Sequence, residues 1–376
     1  MMDFDYVVSP TLIVIGGAIV ASLLIRRIHS LRTKSTPRAR QLFQRITLIA
    51  IAGVILFAAA SSGINAILLQ VNRRNLPGKV LVVYGRRMRL DCTGEGSPTL
   101  VLEAGGGNDG LNWGGVQPVL ANTTRVCLYD RAGYGGSDAA PPPRDADHIA
   151  KELHGLLHAS GAQFPVVLMG HSVGGLFIRD YANHYPSEVA GLIFEDSSSP
   201  AQFRNPVWLA HNQRDLGLRL DIVLDRITLI LGVPRLFGVC SKGSLPGSDA
   251  TASRLFSEDR CHEPFATIAN ERESYDLSAD ETLHSGPFGA TPILIFSHDP
   301  AAEDPDRRMT DLERASDQMA EDFKKLSTRS RRIIAKGSNH FVHRDRLDLI
   351  DKEVPLFIQQ IRGTAPVPQW GTTVVE

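Results

Sequence analysis

Cysteine is scarce in this chain: four residues in 376. No spacing among them matches a zinc or haem motif. Net charge is nearly absent too, at -1. A general nucleic-acid binder needs a basic surface, so that class is excluded. No internal repeat is visible. No Gly-Lys-Ser/Thr follows the glycine run Gly105 to Gly107, which excludes a phosphate-binding loop. Basic residues are missing before Tyr6, and acids are missing from 26–45.

What is present divides the chain. Tyr6 to Ile25 carries no charge and is long enough to cross a hydrocarbon core as a helix. Ile46 to Val71 is a second uncharged run. Asp3 and Asp5 open the chain and a second span follows, so a cleaved signal peptide is not expected. Residues 1–76 therefore read as a transmembrane hairpin with helices near 6–25 and 46–71 and a basic linker, 26–45. The linker holds Arg26, Arg27, Arg32, Lys34, Arg38, Arg40 and Arg45. The excess of Lys and Arg in cytoplasmic loops puts it inside and both chain ends outside, although Arg73, Arg74 and Lys79 oppose this.

Cys240 and Cys261 lie close together in a loop-like stretch. A bridge there would contribute about 3 kcal/mol by loop entropy and fit an oxidising compartment. The alternative is two unrelated thiols. Cys92 and Cys127 fall in strand-like runs and read as buried thiols.

From Lys79 onward strands and helices alternate, which implies an α/β fold with a mostly parallel sheet covered on both faces. The α/β domain is expected over 77–362, with a long insertion at about 200–287 and a loose tail at 363–376. Phe203, Trp208, Leu209, Phe237 and Phe256 of the insertion could line a pocket or form the insertion's own core. One segment carries chemistry. The apolar run Pro165 to Met169 enters Gly170-His171-Ser172-Val173-Gly174-Gly175, and a helix-like stretch follows. Glycines on both sides of a serine let strand and helix approach across a tight turn and expose the hydroxyl. Ser172, Asp196, Asp299 and His340 all fall just after strands, at the edge where ligands bind in such sheets.

With Asp130-Arg131-Ala132-Gly133-Tyr134-Gly135-Gly136-Ser137-Asp138 and Ser338-Asn339-His340-Phe341, these residues make the chain resemble the α/β-hydrolase fold family over Lys79 to Ile361. The hairpin is not part of that pattern. The resemblance implies a serine hydrolase with chain order Ser, acid, His. Ser172 is then the nucleophile and His340 the base, with His343 as competitor. Asn339 stands where members often have glycine. Asp299 occupies the usual position of the acid; Asp196, Asp304 and Asp306 are alternatives. The backbone amides of Gly106 and Val173 are the expected oxyanion donors, with Gly105 next. Asp130 to Asp138 reads as a structural turn, and His171 as packing.

The expected activity is cleavage of carboxylic esters through an acyl-serine, with small-molecule substrates, no cofactor, no metal, no nucleic acid, and membrane lipid around two helices. An aminopeptidase or amidase is the alternative, for which Glu258, Asp259, Glu271 and Glu273 could hold a substrate amine. A non-catalytic, membrane-tethered binding protein is the alternative of another class. The expected place is the cell membrane, with the catalytic domain extracytoplasmic.

Overall fold

The computed structural model describes residues 9–30, 37–213, 224, 227–241, 246–248, 250–259, 264–300 and 310–376. The chain divides into two units. One comprises Met1–Asn75, Gly217–Lys242 and Ser257–Ala266; the other comprises Leu76–Leu216, Gly243–Phe256 and Thr267–Glu376.

The first unit holds two long helices, α1 (Ser9–Ser30) and α2 (Arg38–Arg74). Both are candidate membrane spans, with mean hydropathy of 1.9 over Thr11–Ser30 and 2.1 over Arg38–Arg74. Small residues let them approach: a Cβ on Gly17 would come 3.0 Å from Ala59 Cβ, and one on Gly63 3.3 Å from Val14 Cγ2. The helices overrun the expected spans. Arg26 and Arg27 continue α1, and Arg38, Arg40 and Arg45 lie within α2, so much of the basic linker is helical. Arginine is a good helix former, and nothing after Ile25 stops the first helix. The linker residues 31–36 and the expected helix start at Tyr6 lie outside the described residues. Part of the insertion belongs to this unit. Ser61 Oγ donates to Leu231 O at 2.6 Å and Asn65 Nδ2 to Leu229 O at 3.0 Å.

The second unit is built on a nine-stranded sheet, in the order β1-β2-β4-β3-β5-β6-β7-β8-β9. The strands are β1 (Lys79–Val83), β2 (Arg86–Thr93), β3 (Leu100–Glu103), β4 (Val126–Tyr129), β5 (Val166–His171), β6 (Val189–Glu195), β7 (Ile293–His298), β8 (Ser330–Ala335) and β9 (Thr373–Val375). β1 pairs antiparallel with β2, and β2 antiparallel with β4; the remaining pairs are parallel. Every residue of β3, β4 and β5 is buried, as strands covered on both faces must be. Alternate residues serve opposite faces. Val101, Leu168 and Ile295 pack with helices α3 (Ala146–Ser160) and α4 (Gly174–His184), through Leu153, Leu156, Ile178 and Tyr181. Leu102, Val167, Met169 and Leu294 pack with Trp113 and with Val354, Phe357 and Ile358 of the closing helix, Leu347–Arg362.

Two expectations change here. Cys92 and Cys127 are not thiols: they face each other across β2 and β4 and form a disulfide. Cys240 is also disulfide-bonded; Cys261 lies outside the described residues. The tail is not loose. Thr373–Val375 is β-branched, pairs with β8 as the ninth strand, and brings Trp370 against the core. Between β3 and β4 the chain makes two single turns, Gly110–Trp113 and Gln117–Leu120, joined through Gly114 and Gly115.

Candidate active site

β5 runs into Ser172, whose φ of 54° is a strained value for a residue with a side chain. The flanking glycines make that turn possible. A Cβ on Gly170 would lie 2.7 Å from Gly174 O, one on Gly174 2.8 Å from Ala104 O, and one on Gly175 2.4 Å from Ser197 Cβ. The Ser172 amide donates to Glu195 O at 3.2 Å, and its carbonyl accepts from Ser198 N at 2.8 Å. These bonds tie the turn to the end of β6. Helix α4 starts two residues after the serine.

Ser172 and His340 line one cavity of about 520 Å³, together with Asp196, His298, Asp299 and Trp208. His340 follows β8 and places its Nδ1 2.6 Å from Asp196 Oδ2. The acid beside the histidine is therefore Asp196, not Asp299. Asp299 Oδ2 instead accepts from the Gly337 amide at 2.9 Å and so buttresses the turn that precedes His340. Asp304 and Asp306 lie outside the described residues. Asp196 leaves β6 at a φ of 42°, a conformation that aspartate tolerates better than most residues.

A second imidazole completes this arrangement. His298 Nδ1 lies 2.7 Å from Asp196 Oδ1, and the His298 amide donates to the same oxygen at 3.1 Å. Sequence reasoning missed His298; a histidine adjoining Asp299 at a strand end was its one signal. Burial alone would raise the Asp196 pKa, but the bonds and charges of His298 and His340 hold it well below the usual carboxylate range. His340 shows the reverse balance. Burial opposes its imidazolium, while the hydrogen bond and charge of Asp196 outweigh that and raise its pKa.

The competitor His343 and its neighbour His171 bond other partners. His343 is buried and takes Glu195 through both its amide and Nδ1, each 2.9 Å from Oε1. His171 is buried, with Nε2 3.1 Å from His340 O, and burial pushes its pKa down to about 3.

The expected oxyanion loop sits beside the nucleophile. A Cβ on Gly105 would come 3.2 Å from Ser172 Cβ, and one on Gly106 3.3 Å from Val173 Cγ2 and 2.3 Å from the Tyr275 hydroxyl. Glycine at both positions leaves that space open. Arg131 fixes the loop from behind. Its guanidinium donates to Ala104 O at 2.7 Å and Gly105 O at 2.9 Å, and pairs with Glu103 at 2.7 Å and Glu271 at 2.9 Å. All three charged side chains are buried. Burial pushes the Glu103 pKa up to about 7 despite Arg131. Asp130, next in the chain, pairs with buried Arg89 at 2.6 Å and accepts from the amides of Gly110 and Gly136. The Asp130 to Asp138 turn thus holds the loop that faces the serine.

Of the five apolar residues of the insertion, Trp208 reaches the cavity. Phe203 packs with Tyr275, Phe256 is buried with Leu111 and Leu255, and Leu209 and Phe237 are exposed.

A family model of the α/β-hydrolase fold matches residues 98–227. An AB hydrolase superfamily protein of Gibberella zeae is 24% identical over 295 residues, 70% of this chain and 87% of that one. A putative carbamate hydrolase RutD of Cronobacter sakazakii is 34% identical over 204 residues, 53% of this chain and 63% of that one. The structure of a thermophilic esterase from Thermogutta terrifontis superposes with a TM-score of 0.51 at 18% identity, covering 76% of this chain and 99% of that one. The chain spans less than two thirds of the length of most curated relatives it matches, 16% and 39% for two of them. This chain is an α/β-hydrolase-fold protein.

Proposed function

We propose that the chain is a membrane-anchored serine hydrolase that cleaves carboxylic esters. Ser172 Oγ attacks the acyl carbon as His340 takes its proton, and Asp196 orients His340 and stabilises the imidazolium. His340 then returns the proton to the departing alkoxide. Water, deprotonated by the same histidine, releases the acid and restores Ser172. The amides of Gly106 and Val173 receive the charge that develops on the acyl oxygen. The observation that carries this reading is the strained Ser172 sharing one cavity with a histidine bonded to a half-buried carboxylate. A carbamate is the second substrate class, favoured by the name of the RutD relatives. The aminopeptidase alternative loses one of its four candidate acids, since Glu271 is committed to Arg131 and to the Tyr134 hydroxyl. The side chains of Glu258 and Asp259 lie outside the described residues.

For the anchor, α1 has 22 residues, a length of about 33 Å, which matches a hydrocarbon core. Leu12, Ile15, Ile19, Leu23, Val54, Phe57 and Ile64 point outward, as lipid-facing residues do. The Cys92–Cys127 disulfide supports a catalytic domain on the oxidising side. A fluorophosphonate probe on the full chain tests the central claim. Wild type should label and hydrolyse short-chain esters, and Ser172→Ala should do neither. Full labelling of that variant would exclude Ser172 as the nucleophile, and no turnover of any ester or carbamate by labelled wild type would favour the binding-protein reading.

A further inference from the structure

Helix α4 carries Asp180 and His184 one turn apart on one face, and Asp147 in the first turn of α3 meets them. His184 Nε2 lies 3.2 Å from Asp147 Oδ1 and 3.3 Å from Asp180 Oδ2. We propose that Asp147, Asp180 and His184 form a binding site for a divalent transition-metal ion of the zinc type.

Three observations carry it. Asp180 is 1% exposed, yet its Oδ2 accepts no hydrogen bond among the described residues. Buried carboxylate oxygens rarely go without a hydrogen bond, and this one has the His184 ion pair at 3.3 Å beside it. The spacing is the second. Bonded imidazole–carboxylate pairs in this chain run from 2.6 Å at Asp196–His340 to 3.1 Å at His154–Glu188, just short of the two gaps at His184. The wider gaps at His184 match the edge of a tetrahedron, about 3.3 Å, around an ion with bonds of about 2.0–2.1 Å. All three donor atoms lie within 4.8 Å of one another.

Charge is the third. Lys151 pairs with Asp147 through Oδ2 at 2.6 Å, which leaves Oδ1 to the cluster. Asp145 and Glu281 add further acid beside it, and Glu281 accepts from the Asp147 amide at 3.1 Å. One imidazole with two carboxylates suits zinc and its neighbours.

The site lies at the far end of the helix that begins at the nucleophile turn, so its ion would brace α4 against α3 and touch no substrate. The other exposed cluster is a poorer site. His154 and His158 both bond Glu188, at 3.1 and 2.9 Å, and the Tyr181 hydroxyl holds that carboxylate at 2.6 Å.

The test uses the full chain in detergent micelles, without a histidine tag, stripped by a chelator and titrated with Zn²⁺. Equilibrium dialysis with metal analysis and thermal melting are the readouts. Wild type should bind one ion per chain with a rising melting temperature, more tightly at pH 7.5 than at pH 5.5, because binding displaces protons. Asp180→Asn and His184→Ala should each weaken binding by at least the ~10–100-fold that loss of an outer-shell partner costs. His184 is partly exposed, so its variant should fold, and Asp180→Asn should melt no lower than the stripped wild type. His158→Ala should bind normally. Absence of binding by wild type at millimolar zinc, unchanged binding in both site variants, or loss confined to His158→Ala would each overturn the proposal.

Discussion

Asp196 is shared between two imidazoles, with His298 on Oδ1 at 2.7 Å and His340 on Oδ2 at 2.6 Å. The carboxylate that orients the proposed base is therefore not that base's alone. Burial disfavours both imidazolium ions, and Asp196 outweighs it for each, while the charge of His298 opposes that of His340. A raised His340 pKa has a sign for catalysis. The base must be neutral, so kcat/KM should fall as pH drops through a value above the ordinary 6.5.

His298→Asn removes the competing imidazole charge and weakens the hold on Asp196. His340 should then keep its proton to higher pH. The acid limb of the kcat/KM profile should move up by ~0.5–1 unit, at the low end of what one neighbouring charge does. A pH–rate profile of purified variant and wild type measures it. A fall in kcat with an unmoved limb would mean that His298 only supports the fold.

The two aspartates should separate cleanly. Asp196→Asn should lower kcat by about 10³–10⁴, since it removes the charge behind the imidazolium and the control of its tautomer. Asp299→Asn keeps an oxygen that can accept from the Gly337 amide, so its kcat should stay within about tenfold of wild type. Steady-state ester turnover, after matching the variants for melting temperature, decides between them.

Removal of the Cys92–Cys127 bridge should cost stability and spare the chemistry. The cysteines are 35 residues apart, and a loop of that size is worth about 3–4 kcal/mol by chain entropy. Cys92→Ser with Cys127→Ser should melt well below wild type and still label with the fluorophosphonate at low temperature. A melting curve identical to wild type would mean that the bridge is not formed in the native protein.

Topology gives the fourth test. If the basic residues around the turn from α1 to α2 stay in the cytoplasm, alkaline phosphatase fused after Glu376 should be active, because it folds only where disulfides form. Activity confined to a cytoplasmic reporter at the same place would reverse the orientation.

Some of this was legible in the sequence for physical reasons. Gly170, Gly174 and Gly175 surround Ser172 because each lacks room for a Cβ, so the turn is written in residue types. Parallel strands buried on both faces show as apolar runs. The acid was not legible. Asp196 and Asp299 both follow strands and both precede His340, and what separates them is three-dimensional. A φ of 42° turns Asp196 toward His340, while Asp299 faces the Gly337 turn. The Cys92–Cys127 pair depends on β2 lying beside β4 rather than its chain neighbour β3, a choice that local pattern does not encode. The basic linker misled because charge marks a side of the membrane, not the end of a helix.

Arg131 joins the loop after β3 to the insertion. Its guanidinium holds the carbonyls of Ala104 and Gly105, and a carboxylate of the insertion, Glu271, holds the guanidinium. Grafting in a foreign insertion would strand a buried cation and loosen the very loop that faces Ser172. New substrate ranges in this lineage would then have to arise by changes around Glu271, not by wholesale replacement of the segment that carries it.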